Sequence, residues 1–301
     1  MYLMTLKTAD FRNKYVLTNS LVKDVDIFYT FRDLITTYVI FFVSFYFLNK
    51  TNNIIVLIFA VFFLGVAFNW INVQVHEACH YLLLKNKKFN DYFANLFYGI
   101  FSLRLVDNYR SSHWAHHNKL HDTREDPDYH MYNTSLFKGI LYDLSLLTIW
   151  KFVKERNISN WETDKKNKST NLIINFIFLI LSEVTIFLLI YLFLEEKNII
   201  NILKVGFLYH YSLFAVSVSL IRIRTRIQHA SENYEKNEVS RTTLCNFFET
   251  FFIGCRMNYH FEHHMFPNIP YYRFNETIMK NKDNEDFNNF YTKTYLKNDL
   301  N

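Results

Sequence analysis

The chain has 301 residues, half of them apolar and 19% aromatic, and carries a formal net charge of +5. That charge is too mild to point to nucleic acid. With 5 Gly and 3 Pro against 32 Phe and 21 Tyr, the composition excludes a turn-rich all-β protein and favours helices.

Taken in chain order, the opening MYLMTLKTADFRNKY has no apolar core and is not read as a signal peptide. Four apolar stretches follow: Leu34–Leu48, Ile54–Val73, Leu172–Leu194 and Ile199–Ile221. About 20 mostly apolar residues suffice to cross a bilayer. The first stretch is short, and the fourth carries Lys204 and His210. Each could instead be a buried helix of a soluble core, but four of them in two close pairs argue for membrane spans. The connections Asn49–Asn53 and Glu195–Asn198 are short, so each pair is expected to form a hairpin.

Residues 1–33, 74–171 and 222–301 then share one side of the membrane. They include Lys85, Lys87, Lys88, Arg104, Lys151, Lys154, Arg222, Arg224 and Arg226. The positive-inside tendency makes that side cytoplasmic. Lys165–Ser169 reads as a solvated linker and residues 280–301 as a polar tail. Cys79, Cys245 and Cys255 form no C-x-x-C pair and are odd in number, which fits a reducing compartment. The expected fold is an all-α integral membrane protein, with about four transmembrane helices in two hairpins and a cytosolic helical cap.

Chemistry concentrates in the histidines. Of 12, eight fall in three clusters: His76/His80, His113/His116/His117 and His260/His263/His264. On a helix, positions i, i+3 and i+4 share a face, so each cluster can aim its imidazoles at one place. Neutral imidazole suits Fe, Zn, Cu and Ni. All three clusters fall on the same predicted side. His229, just after the fourth span, can add a ninth imidazole, although spacing alone leaves it equally readable as a surface residue. His121 and His130 flank Asp126-Pro127-Asp128 and are read as outer-layer or loop residues. His210, inside a span, is expected to make a helix–helix hydrogen bond.

Several metal chemistries compete. His76-Glu77-Ala78-Cys79-His80 matches the H-E-x-x-H of zinc proteases, with Glu77 as general base. That reading leaves two clusters unexplained, and the chain lacks the Asp-Gly pair that membrane proteases of this kind use. Carboxylate di-iron proteins need two Glu-x-x-His pairs, and only Glu77-x-x-His80 is present. A metal transporter would place its ligands near the bilayer midplane rather than beyond the span ends. Eight or nine imidazoles are too many for one ion and suit two. Two irons can activate O2, and Glu77, Asp126, Asp128 and Glu262 are candidates to orient the rings.

The pattern H-x-x-x-H, H-x-x-H-H, H-x-x-H-H resembles the membrane fatty acid desaturase superfamily. Its most specific stretch is Asn258-Tyr-His-Phe-Glu-His-His-Met-Phe-Pro-Asn-Ile-Pro270, similar to the N-Y-H-x-E-H-H-x-F-P-x-x-P signature of that group. His113–Asp128 and Arg241-Thr-Thr also resemble bacterial-type members. The resemblance implies a desaturase-like domain over 34–279 and a cap holding two Fe ions. It implies His76, His80, His113, His116, His117, His260, His263 and His264 as ligands, and supports His229 as a ninth, with Gln228 where many relatives carry Glu. It also implies O2-dependent desaturation of a fatty acyl chain in a tunnel that the Phe and Tyr residues could line. A separate electron donor, ferredoxin or cytochrome b5 in type, is expected because no His-Pro-Gly-Gly motif is present. Related hydroxylases and carotenoid ketolases carry similar boxes and stay open as alternatives. The third box begins with His rather than Gln, which speaks against the front-end desaturases.

Overall fold

The computed structural model describes residues 24–150, 168–229, 240, 251–252 and 257–276. Residues 1–23, Lys151, Lys154, Arg241-Thr-Thr, Cys245, Cys255 and the tail 280–301 lie outside the described residues. Among those described there is no strand.

Four helical stretches are long and apolar enough to cross a membrane: Ile27–Lys50, Ile54–Cys79, Leu172–Phe193 and Ile199–His229. The first, second and fourth run further than hydropathy alone marks out, while the third ends at Phe193, one residue earlier. Helix α1 (Ile27–Lys50) begins seven residues before Leu34, capped by the Asp26 carboxylate on the Phe28 amide at 3.0 Å. Its polar residues there are buried but satisfied. Thr30 donates to the Leu83 carbonyl at 2.7 Å, and Asp33 accepts from Arg32, Gln74 and the Tyr271 hydroxyl.

Helix α2 (Ile54–Cys79) is the spine of the molecule. From Leu64 to Cys79 every residue is buried. It starts on an Asn53 cap and continues without a break to Cys79, with His76 in its last turn and His80 as its C-cap. Helix α3 (Lys87–Ala94) follows, capped by Asn86, and runs on through a π turn at Asn95–Gly99 to Ser102. Helix α4 (Val106–Lys119) carries the second cluster. Short helices α5 (Tyr129–Asn133) and α6 (Leu136–Leu144) close the region before α7 (Lys168–Phe193). Lys168 and Ser169, read from sequence as linker, are already helical in α7; 165–167 lie outside the described residues.

Helix α8 (Ile199–Tyr211) passes through a π turn at Ser212–Val216 into α9 (Ser217–His229). Gly65 of α2 faces that π turn. A Cβ there would stand 2.4 Å from Val216 Cγ1, so only Gly allows the two helices this close. Beside it, Phe41, Phe45, Phe68, Phe101 and Tyr209 pack edge-on at 5.0–6.3 Å between centroids.

The short connections meet at one end. Lys50 pairs with Glu195 at 2.6 Å, and Lys204 donates to Asn52 at 2.8 Å, which accounts for a lysine inside an apolar stretch. His210 bonds Glu183 of α7 at 3.1 Å, the helix–helix contact expected for it.

Two expectations need correction. Arg222 and Arg224 are not free charges beyond a span end. Both are buried in α9, Arg222 against Asp143 at 2.6 Å and Arg224 donating to Asn69 at 3.3 Å. The segment between the first two clusters is also not wholly outside the spans. Its 97–101 stretch packs on Tyr38 and Tyr209, in the middle of α1 and near the middle of the Ile199–His229 span.

Candidate metal centre

All nine histidines singled out from the sequence converge at the end opposite the short connections, in two adjoining groups. His76, His80, His113, His117 and His263 form the first; His116, His229, His260 and His264 form the second. Within each, one ring nitrogen per residue lies within 4.8 Å of every other. Three elements supply the first group: α2, α4 and α10 (His260–Met265). The second draws on α4, α9 and α10. His229 is not a surface residue: it is buried, with Nε2 2.8 Å from His260 Nε2.

The spacing fits metal ions better than hydrogen bonds. His113 Nε2 lies 2.9 Å from His80 Nε2 and 3.0 Å from His117 Nε2, which is also 3.1 Å from His263 Nε2. A neutral ring nitrogen offers one proton or one lone pair, so this chain of contacts cannot be satisfied throughout. Ligands about 2.1 Å from an ion and at right angles to each other stand about 3.0 Å apart. His76 Nε2 is buried with no hydrogen-bond partner, a nitrogen ready for an ion. Burial, reinforced by neighbouring imidazoles, pulls His113, His260, His263 and His264 well below the ordinary histidine pKa. They are neutral at pH 7, as metal binding requires.

Carboxylates sit behind some rings. Asp126 accepts from His116 Nδ1 at 2.9 Å, leaving Nε2 for the second group. Burial pulls the His116 pKa down, but the Asp126 hydrogen bond and the charges of Asp128 and Asp126 outweigh it and raise the value. Asp128 is 3.9 Å away and partly exposed. Glu77 lies 3.3 Å from His76 Nδ1, on the outer side of the ring. A zinc-protease base would have to face the ion, so the geometry does not favour that role. Glu262 is buried within α10. His121 takes up a turn position, its amide donating to Asp126 at 3.1 Å, whereas His130 lies in α5, its carbonyl accepting from Arg222.

Other supporting residues, Gln228 excepted, were not singled out from the sequence for this centre. Tyr132 donates to Asp126 at 2.5 Å. Arg226 donates to the Tyr132 and Thr134 carbonyls at 2.9 Å, fixing that loop on α9. Arg110 donates to the Ala78 and Cys79 carbonyls at the end of α2 and pairs with Asp91, holding α4 against the first histidine pair. Its place one turn before His113 is the only signal the sequence offers. Gln228 donates to the Met257 carbonyl at 2.5 Å, tying α9 to the segment that leads into the third cluster.

Four membrane-length helices and a centre of nine imidazoles, eight of them buried, define a membrane protein built around histidine clusters that can hold metal. Residues 52–282 match the fatty acid desaturase family, and the chain belongs to it. That family is one of membrane oxidoreductases built on histidine-ligated di-iron centres. The chain is 30% identical over 98 residues to a zeaxanthin 4-ketolase of Chlamydomonas reinhardtii, covering 32% of this chain and 22% of that one. It is 28% identical over 109 residues to a beta-carotene 4-ketolase of Protosiphon botryoides, covering 35% and 27%. A beta-carotene 4-ketolase of Haematococcus lacustris matches at 27% over 84 residues, covering 27% and 26%. The matching parts thus span only about a quarter of these relatives.

Proposed function

We propose that this chain is a multi-pass membrane enzyme that uses O2 to desaturate a fatty acyl chain, with the nine histidines as ligands to two irons. The observation that carries it is the sorting of nine imidazoles, eight of them buried, into two adjoining groups. When bound, the irons would supply O2 activation and abstraction of C–H hydrogen. Overall, –CH2–CH2– plus O2, two electrons and two protons would yield –CH=CH– and two waters. The electrons come from a separate protein of ferredoxin or cytochrome b5 type.

The chain's own part is positional. Asp126, held by Tyr132, sets the His116 ring so that its inner nitrogen faces the second group. Gln228 and Arg110 fix α9 and α4 against the segments that carry the other imidazoles. Burial of eight of the nine rings keeps bulk water away from the reacting carbon. The basic residues flanking the centre favour a cytoplasmic location for it.

The ketolase matches favour a second reading, oxidation of a carotenoid ring carbon at the same centre. Expression in a host without this chain, followed by lipid and carotenoid profiling, separates the two. A new unsaturated acyl species supports desaturation. A ketolated or hydroxylated carotenoid supports the alternative. One bound zinc and no iron would overturn both.

A further inference from the structure

We propose that two segments between the histidine clusters, 87–103 and 136–146, are re-entrant. Each dips into the leaflet on the histidine side and presents an apolar face to phospholipid acyl chains. The inference rests on the membrane reading of the four long helices and not on the metal chemistry.

The depth follows from the spans. Tyr38, Tyr209 and Tyr211 stand some 10–12 residues from the span ends at the short connections, or about 15–18 Å at 1.5 Å per residue. The hydrocarbon core is about 30 Å thick, so all three lie within it. The Tyr38 hydroxyl donates to the Phe97 carbonyl at 2.6 Å, and Tyr209 to the Phe101 carbonyl at 2.9 Å. Tyr211 donates to the Leu144 carbonyl at 3.0 Å. Phe101 and Leu144 fall at helix C-terminal ends, where carbonyls lack intrahelical partners. Water normally satisfies such groups; inside a bilayer a protein donor must.

The two turning points are alike. Each helix ends near a leucine in the left-handed region, Leu103 at φ 54° and Leu146 at φ 62°. Glycine or asparagine usually takes that conformation; Leu103 instead packs against the protein core, and exposed Arg104 beyond it lies over the Tyr109 ring. The outer faces are apolar as well. Phe89, Tyr92 and Leu96 share one exposed face of the first segment, and Phe137, Leu141 and Leu144 one of the second. The inner face of the second is fixed by Asp143 on Arg222. These outward faces continue the lipid-facing surface of the spans, to which the tyrosine bonds join them.

The test replaces Leu96, Phe137 or Leu141 with photoreactive benzoylphenylalanine in the full chain, reconstituted in phosphatidylcholine nanodiscs. Phe176 in α7 serves as the span control and exposed Glu125 as the aqueous control. Irradiation should give adducts on the lipid acyl portion at all three positions, as at Phe176, and none at Glu125. Three results would overturn the proposal: headgroup-only adducts, cross-linked dimers of the chain, or no adduct where Phe176 reacts. Loss of lipid adducts at Phe176 as well would overturn the membrane reading itself.

Discussion

His116 and His117 are neighbours in the chain but serve different halves of the centre. The His116 outer nitrogen rests on Asp126 and its ring joins His229, His260 and His264. His117 Nε2 meets His113 and His263. The H-x-x-H-H motif thus works as a splitter: successive residues on a helix diverge by about 100°, and the last two rings of the motif go to separate groups. His263 and His264 divide in the same way.

Replacing either member of a split pair should therefore remove metal selectively. His116→Ala should lower bound iron by about half, through the second group, and His117→Ala by about half through the first. Iron content after anaerobic purification, together with Mössbauer spectra, checks this. The two variants should lose different spectral components. If both lose the same component, the two-group assignment is wrong.

Asp126→Ala should loosen the second group without touching the first. Removing a carboxylate behind a metal-binding histidine typically weakens affinity about 10–100-fold. Tyr132→Phe should have a smaller effect in the same direction, because Asp126 keeps the His116 bond and the His121 amide. Iron release to a chelator, followed with time, should become biphasic in both variants.

The Arg222–Asp143 pair is buried on both sides, at 3% and 0% side-chain exposure. Asp143→Ala or Arg222→Ala alone leaves an uncompensated buried charge and should cost about 3–5 kcal/mol. The double change to Leu and Met should recover most of that. Denaturation in mixed detergent micelles, run as a double-mutant cycle, measures the coupling.

Tyr209→Phe removes the donor to the Phe101 carbonyl while keeping the ring among Phe41, Phe45 and Phe68. A buried acceptor left unmade costs about 1–3 kcal/mol. The same micelle denaturation should show a loss of that size. A loss near zero would mean that water reaches the carbonyl.

Much of this was legible in the sequence, for identifiable reasons. Long apolar runs gave the four spans, imidazole spacing gave eight of the centre residues, and the family resemblance added His229. The α1 boundary was not legible, because Thr30 and Asp33 break the hydropathy while their partners, Leu83 and Tyr271, are distant in the chain. Arg222 and Arg224 read as topological charges, because nothing local announces Asp143 or Asn69. Which imidazole joins which group depends on how α4, α9 and α10 meet, a long-range fact that no helical period encodes.

The unbroken run of α2 into His76 has a mechanical consequence. No hinge separates bilayer from centre on this helix, and only the π turn at Ser212–Val216 interrupts the run of α8 and α9 into His229, so the two behave as levers whose short arms carry imidazoles. A change in membrane thickness that tilts the spans is transmitted directly to the spacing between the two groups. The temper of the surrounding lipid, its thickness and stiffness, would thereby become a setting of the histidine centre itself.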